Sequence, residues 1–376
     1  MPILEGDPLQ IVPKAGLPGQ PANLANNNLD IVQHQGRLFF AWRTAPSHFA
    51  SADAYLNVIS REPGGEWEFE TTLHVGMDLR EPRFLSWNDT LFMYFAVLGD
   101  NPSEFVPGEA RWIERVGPGE WTEDQPFQQE SFIPWRTKVI DNVPYMTGYV
   151  GGENIYDLDS DEPPSPVQVQ FLTTTNGVTW TGVVPNNEVV HVGGGSETDF
   201  AFLDDGTLIA VMRNELGDDS GFGSKICRAE ADRLGLWSCI HDPRKYDSPL
   251  VFSFEGRVFL IARRNVTETG WYDLGRSDLD AREQYFEYQT DYWGTPKRCS
   301  LWEVDTATLE VSLHFDLPSA GDTCFAGVVP FGEEDAFLVY NYSSPLDGDP
   351  DISWLQGQTN PTNIYSHILR FVEADE

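Results

Sequence analysis

The sequence predicts an all-β chain: a six-bladed β-propeller of four-stranded antiparallel blades, closed by an N-terminal strand. Three observations carry this reading. Short β-rich runs alternate with turn residues along nearly all of the 376 residues, served by 33 glycines and 26 prolines. The runs fall into hairpin pairs, and the double pair recurs. Trp67, Trp121, Trp180, Trp237 and Trp302 are separated by 54, 59, 57 and 65 residues, a period suited to a four-stranded unit repeated around a ring. Residues 1–376 are read as a single propeller domain with an insertion at about 265–297 in the fifth blade.

The units follow in order. In the first, Leu29 to Gln33 turns at Gly36 into Leu38 to Trp42, and Ala54 to Ser60 turns at Pro63-Gly64-Gly65 into Trp67 to Leu73. The second has Pro82 to Trp87, Leu91 to Val97, Ala110 to Arg115 and Trp121. The third has Phe132 to Ile140, Val143 to Val150, Val167 to Thr173 and Trp180 to Val184. The fourth opens with Glu197 to Leu203, turns through Asp204-Asp205-Gly206 and returns as Thr207 to Arg213; Lys225 to Glu230 and Leu236 to Ile240 complete it. The fifth has Ser248 to Phe254, Arg257 to Arg263, Cys299 to Val304 and Leu309 to Phe315. The sixth has Thr323 to Pro330, Ala336 to Tyr340 and Ile364 to Phe371, with no outer strand of its own. The apolar run Leu9 to Val12 can supply that strand, closing the ring and covering an edge. A helical period competes only over Asp280 to Tyr288.

Composition excludes several partners. With 59 acidic against 24 basic residues the net charge is −35, so nucleic-acid backbones and anionic membranes find no basic face. No run of about 20 apolar residues suits a membrane span. The opening MPILEGDPLQ does not read as a signal peptide. Cys227 and Cys239 flank a turn and can face each other, as a disulfide or as two buried thiols.

In a propeller the first strand of each blade lines the central channel, and a ligand sits at the mouth where first strands begin and second strands end. The sequence places there Asn28 and Asp30, Arg43 and His48, Arg80, Glu81 and Arg83, Tyr94, Trp135 and Arg136, Tyr149, Glu197 and Asp199, Arg213, Tyr246 and Asp247, Arg263 and Arg264, Asp322, and Tyr340 and Tyr342. Arginine concentrated at one rim of an acidic protein makes a local anion site, unless the neighbouring carboxylates take the arginines as structural bridges. Glu197 and Arg213 meet at the open end of one hairpin, as a structural ion pair or as half of a ligand site. His48 titrates near neutrality and is a candidate acid or base.

The turn Thr173-Thr-Thr-Asn-Gly-Val-Thr-Trp180, with its looser copy Ser60-Arg-Glu-Pro-Gly-Gly-Glu-Trp67, resembles the Asp-box of the sialidase-like propellers, Ser-x-Asp-x-Gly-x-Thr-Trp. The resemblance implies a glycoside hydrolase acting on an acidic sugar or polysaccharide. It makes Glu197 and Arg213 the paired glutamate and carboxylate-binding arginine, and offers Tyr340 or Tyr342 as the late tyrosine nucleophile. The Arg-Ile-Pro motif that opens sialidases has its nearest counterpart in Arg80-Glu-Pro-Arg83, one blade later. Arg43, Arg80, Arg83, Arg136, Arg213, Arg264, Tyr246 and Asp247 are the expected substrate contacts. A more remote likeness, to propeller polysaccharide lyases and rhamnosidases acting beside uronic acids, rests on Arg43-Thr-Ala-Pro-Ser-His48 and pairs His48 with a tyrosine. A non-catalytic glycan-binding propeller is the third alternative. A monomer in an extracellular or periplasmic setting is expected, with an acidic carbohydrate as partner. No cofactor is expected, although Asp157, Asp159 and Asp161, or Asp347, Asp349 and Asp351, carry oxygens suited to calcium.

Overall fold

The computed structural model describes residues 1–101, 106–153, 155 and 165–373. Six antiparallel sheets form the propeller, each with its first strand innermost. Blade one is Ala25–His34, Arg37–Ala45, Tyr55–Arg61 and Glu68–Leu73; blade four is Gly195–Phe202, Leu208–Asp218, Gly221–Ala229 and Ser238–Asp242. Blades two and three fill the outer position differently from expectation. In blade two the outer strand is Gln125–Glu130, and Trp121 lies in the two-residue strand Glu120–Trp121 beside it. In blade three Trp180–Gly182 and Val189–Gly193 share the edge of Val167–Thr174.

Blade six holds Gly327–Phe331, Glu333–Ser343 and Asn363–Phe371, and its outer strand is Pro2–Val12. The ladder runs from Pro2 opposite Phe371 to Val12 opposite Ile364, so the clasp is longer than the Leu9 to Val12 run that suggested it. Ile11 and Val12 are buried in the central core, while the exposed middle of the strand is too polar to read as β from sequence.

Turn chemistry accounts for the hairpins. Gly206 takes φ +81° while the Asp205 carboxylate accepts the Thr207 amide at 2.9 Å. In the degenerate Asp-box, the Asn176 side-chain oxygen accepts the Val178 and Thr179 amides and Gly177 takes φ +73°. Asn therefore does the aspartate's turn-closing work, and Trp180 is buried behind it. Trp302 sits in a third strand, Lys297–Val304, whereas Trp180 opens an outer strand and Trp67 and Trp237 each immediately precede one. The fifth tryptophan therefore kept the period from a different place in its blade.

The insertion in blade five carries a helix, Ala281–Gly294, begun by a capping box between Asp280 and Glu283. Its buried tyrosines pack with Phe222, Tyr272 and Trp354 in a separate aromatic cluster, which fixes the helix over the mouth of the channel. Two disulfides join Cys227 to Cys239 and Cys299 to Cys324. Among the described residues no helix is long and apolar enough to cross a membrane.

Candidate active site

A cavity of about 390 Å³ opens at the channel mouth where first strands begin and second strands end. First-strand entries supply Asn28, Glu81, Glu197 and Ser248; second-strand exits supply Tyr149, Arg213, Arg263 and Tyr342. The innermost strands are bulged at this level. Register breaks fall between Asn27 and Leu29, Arg80 and Arg83, Pro134 and Arg136, and Gly195 and Thr198. A bulge sets two successive residues against one and re-aims a side chain. Asn28, Glu81 and Ser248 stand at φ +42°, +53° and +53°, a conformation that costs a non-glycine residue of order 1 kcal/mol or more and clusters at functional sites. Asn28 Nδ2 donates to Glu81 Oε1 at 2.9 Å, joining two of these residues across blades one and two.

Glu197 receives Arg213 Nη1 at 2.8 Å and the Ser248 amide at 2.6 Å. Burial pushes its carboxyl group up to about 7; Arg213 opposes the rise, and Asp247 and Glu81 add to it. Burial also raises Glu81, against the pull of Arg83 and Arg80. Its Oε2 is buried and has no hydrogen-bond partner among the described residues. Asp247 behaves oppositely. Burial disfavours its charge, yet Lys245, Arg263 and Arg213 together hold it down at about 2. Asp247 is thus the fixed anion that anchors Arg263 at 2.7 Å and accepts the Tyr292 hydroxyl at 2.9 Å.

A second cluster surrounds Asp322, which is fully buried. It accepts His48 Nδ1 at 2.6 Å, the Tyr342 hydroxyl at 3.0 Å and Trp354 Nε1 at 3.0 Å. Burial raises the Tyr342 hydroxyl well above its ordinary range, with the Asp322 charge adding to the effect. Trp354 comes from a short helix, Trp354–Gln358, between the last two strands of blade six, and stacks on the Arg263 guanidinium 4.5 Å from its ring centroid.

Of the residues singled out from sequence, Asn28, His48, Arg80, Glu81, Tyr149, Glu197, Arg213, Arg263 and Tyr342 line the cavity, with Asp247 directly behind Arg213 and Arg263. The others stand elsewhere. Arg43 is fully buried on Asp78, bonding the Ser47 and Phe49 carbonyls. Arg83 lies between the Trp135 and Phe325 rings, and burial lowers its pKa to about 9. Arg136 faces Asp199 at 3.3 Å and lines a separate cavity along the channel. Arg264 turns outward to Asp316 at 2.6 Å, since adjacent strand residues point to opposite faces and Arg263 holds the inward position. Tyr246 packs on Trp302 and bonds Asp242, and Tyr340 packs on Phe40 between blades. The Asp157, Asp159 and Asp161 loop lies outside the described residues. In the other acidic loop, Asp351 pairs with Arg298. Trp354 takes up a cavity position that the sequence did not reveal, while Glu81 and Arg263, expected at the rim, were assigned no substrate contact or chemistry. The Arg80-Glu-Pro-Arg83 bulge was the available signal for Glu81.

No family model and no curated protein matches this chain. Solved structures do. A protein of unknown function from Dyadobacter fermentans superposes with TM-score 0.61 at 13% identity, over 93% of this chain and 96% of that one. The fold is that of the sialidase-like six-bladed propellers. A Trypanosoma rangeli sialidase bound to sialic acid matches at TM-score 0.59 and 10% identity over 98% of this chain, which spans 58% of the sialidase. An α-L-arabinofuranosidase from Fusarium graminearum, bound to an iminosugar inhibitor, matches at TM-score 0.56 and 12% identity, over 92% of this chain and 93% of that one.

Proposed function

We propose that this chain is a glycoside hydrolase in which Glu197 and Glu81 form the reacting pair. The observation that carries the reading is the convergence of two buried carboxyl groups on one cavity. Both have raised pKa values, and both stand where an innermost strand is bulged. A carboxyl group that keeps its proton to about 7 is suited to protonate a leaving glycosidic oxygen. Glu81, held by Asn28 at Oε1 and facing Arg83 Nη2 at 3.6 Å through Oε2, would act as the carboxylate at the anomeric carbon or on the water that attacks it. Tyr342 donates to Asp322 and is held far from ionisation, which suits an anchor better than a nucleophile.

The arginines bear on the substrate. Arg80 is paired with Asp78, Arg213 with Glu197, and Arg263 with Asp247. A sugar carboxylate would have to displace these anions. A neutral sugar is therefore favoured over the acidic one that the arginine count suggests. Two disulfides support an extracellular or periplasmic setting.

The test is a panel of chromogenic glycosides, with α-L-arabinofuranosides and neutral hexosides on one side and sialosides on the other. Turnover of a neutral glycoside, reduced at least about a thousandfold in Glu197→Gln and Glu81→Gln, is the expected result. Turnover of sialosides alone restores the acidic-sugar assignment. Folded protein that cleaves no glycoside overturns the reading. The attachment of His48 and Tyr342 to one carboxylate favours a second reading, elimination at a uronic acid. That reaction releases an unsaturated sugar, detected by its ultraviolet absorbance.

A further inference from the structure

Hydrolysis by Glu197 and Glu81 leaves His48 unused, yet the loop that carries it is more firmly built than a surface loop needs to be. Arg43 Nη1 donates to the Ser47 carbonyl, Arg43 Nη2 to the Phe49 carbonyl, and Arg80 Nη2 to the carbonyl of His48 itself. Three consecutive backbone oxygens are thus gripped by two arginines. Both arginines are in turn fixed by the two oxygens of one fully buried carboxylate, Asp78. The ring is fixed from its other side by Asp322, in the connection that enters blade six, at 2.6 Å.

This geometry decides the tautomer. Asp322 is ionised: burial opposes its charge, but the hydrogen bonds it accepts from His48 and Tyr342, with the Arg263 guanidinium nearby, hold its carboxyl group below the ordinary range. Nδ1 must therefore carry a hydrogen to donate to it. The Asn27 amide nitrogen 3.2 Å from the same Nδ1 is a donor and cannot bond a protonated Nδ1. Burial, aided by Arg80 and Arg43 and opposed by Asp322, lowers the pKa of the imidazole and keeps it neutral. Nε2 is then an unprotonated acceptor. No hydrogen bond to it occurs among the described residues, and the side chain is 16% exposed while lining the cavity.

We infer that His48 is a positioning and specificity residue whose Nε2 accepts a hydrogen bond from one hydroxyl of the sugar in the cavity, with Asp322 and the Asp78-centred arginine clamp holding it in place. The arrangement is that of a ligand group set by a rigid second layer, whose function depends on tenths of an ångström. A site built to bond a hydroxyl discriminates strongly against the analogue that lacks it, because the acceptor is left unpaired. The inference rests on the proposed function for its ligand class but needs only that a sugar bind.

Two measurements test it. Long-range ¹H–¹⁵N spectra of the histidines should show His48 with hydrogen on Nδ1 and a bare Nε2, a signature lost in Asp322→Asn. Binding of 1,4-dideoxy-1,4-iminoarabinitol and its monodeoxy counterparts should show one hydroxyl worth roughly thirtyfold in affinity to the wild type. That preference should vanish in His48→Ala and return in part in His48→Gln, which restores an acceptor, each measured on protein shown to be folded by circular dichroism. An Nε2–H tautomer, an unchanged preference in His48→Ala, or wild-type protein that binds none of these sugars overturns the inference. Hydroxyl discrimination that depends on His48, in a protein that hydrolyses no glycoside, would uphold the inference and remove only the hydrolase reading.

Discussion

Replacing Glu197 by Gln tests the electrostatics of the site without reference to any substrate. Folded Glu197 holds its proton to about 7, against an ordinary value of 4.5. Between those pH values the folded state binds a proton that the unfolded chain has released. Stability is therefore fully present below about 4.5, falls as pH rises to about 7, and is level beyond. At about 1.4 kcal/mol per pH unit, the rise is worth about 3 kcal/mol. Asp247, with a folded value of about 2 against 3.8, acts in the opposite sense and in a separate window: its contribution is lost as pH falls below about 4. Glutamine has no titration, so the Glu197→Gln variant should gain on the wild type by about 3 kcal/mol between pH 4.5 and pH 8. Urea and thermal melts of both proteins, in matched buffers at constant ionic strength, read the difference directly. A stability gap that stays constant across this range would mean that Glu197 is ionised throughout. It would refute both the raised value and the general-acid role built on it.

Asp247→Asn removes the charge that Lys245, Arg263 and Arg213 share, and should cost about 3–5 kcal/mol in denaturant melts because those cations stay buried. Arg264→Ala loses only a partly exposed pair with Asp316 and should cost less than about 1 kcal/mol, with kcat/KM for a cleaved glycoside unchanged. If Glu197 is the general acid, the alkaline limb of kcat/KM lies near its value of about 7. Arg213→Gln should move that limb upward by about 1–2 pH units, since the guanidinium is the charge that holds Glu197 down.

The architecture was legible because its signals are local. Asp205-Gly206 and Asn176-Gly177 announce turns through backbone conformations that few other residues accept, and the turns partition the chain into blades. Even the clasp could be anticipated, from a stray apolar run and a blade short of a strand. The rim was legible too, since propeller geometry dictates which strand ends meet there. Side-chain direction at the rim was not. Alternation along a strand separates Arg263 from Arg264 only once the phase is known, and the bulges at Asn28, Glu81 and Glu197 reset the phase where it matters most. Nor could sequence foresee that Asp78 would absorb Arg43 and Arg80, because that grouping depends on distances between blades one and two. Trp354 was hidden for another reason. It enters the cavity from a five-residue helix in a connection outside the strand pattern.

The seam in blade six has a consequence for how damage spreads. Glu81, Glu197 and Arg263 are carried by three different blades and Asp322 by the connection into the sixth, so the spacings between them depend on how the blades stand around the circumference. The register Pro2 to Phe371 through Val12 to Ile364 is where that circumference is joined. Peeling the seam would let the hoop relax, and every spacing across the cavity would drift together although no cavity residue had been touched. Substitutions at Ile11 or Val12 should therefore resemble lesions of the site itself, and an inactive variant mapping there would mark a loss of tension around the ring rather than a missing chemical group.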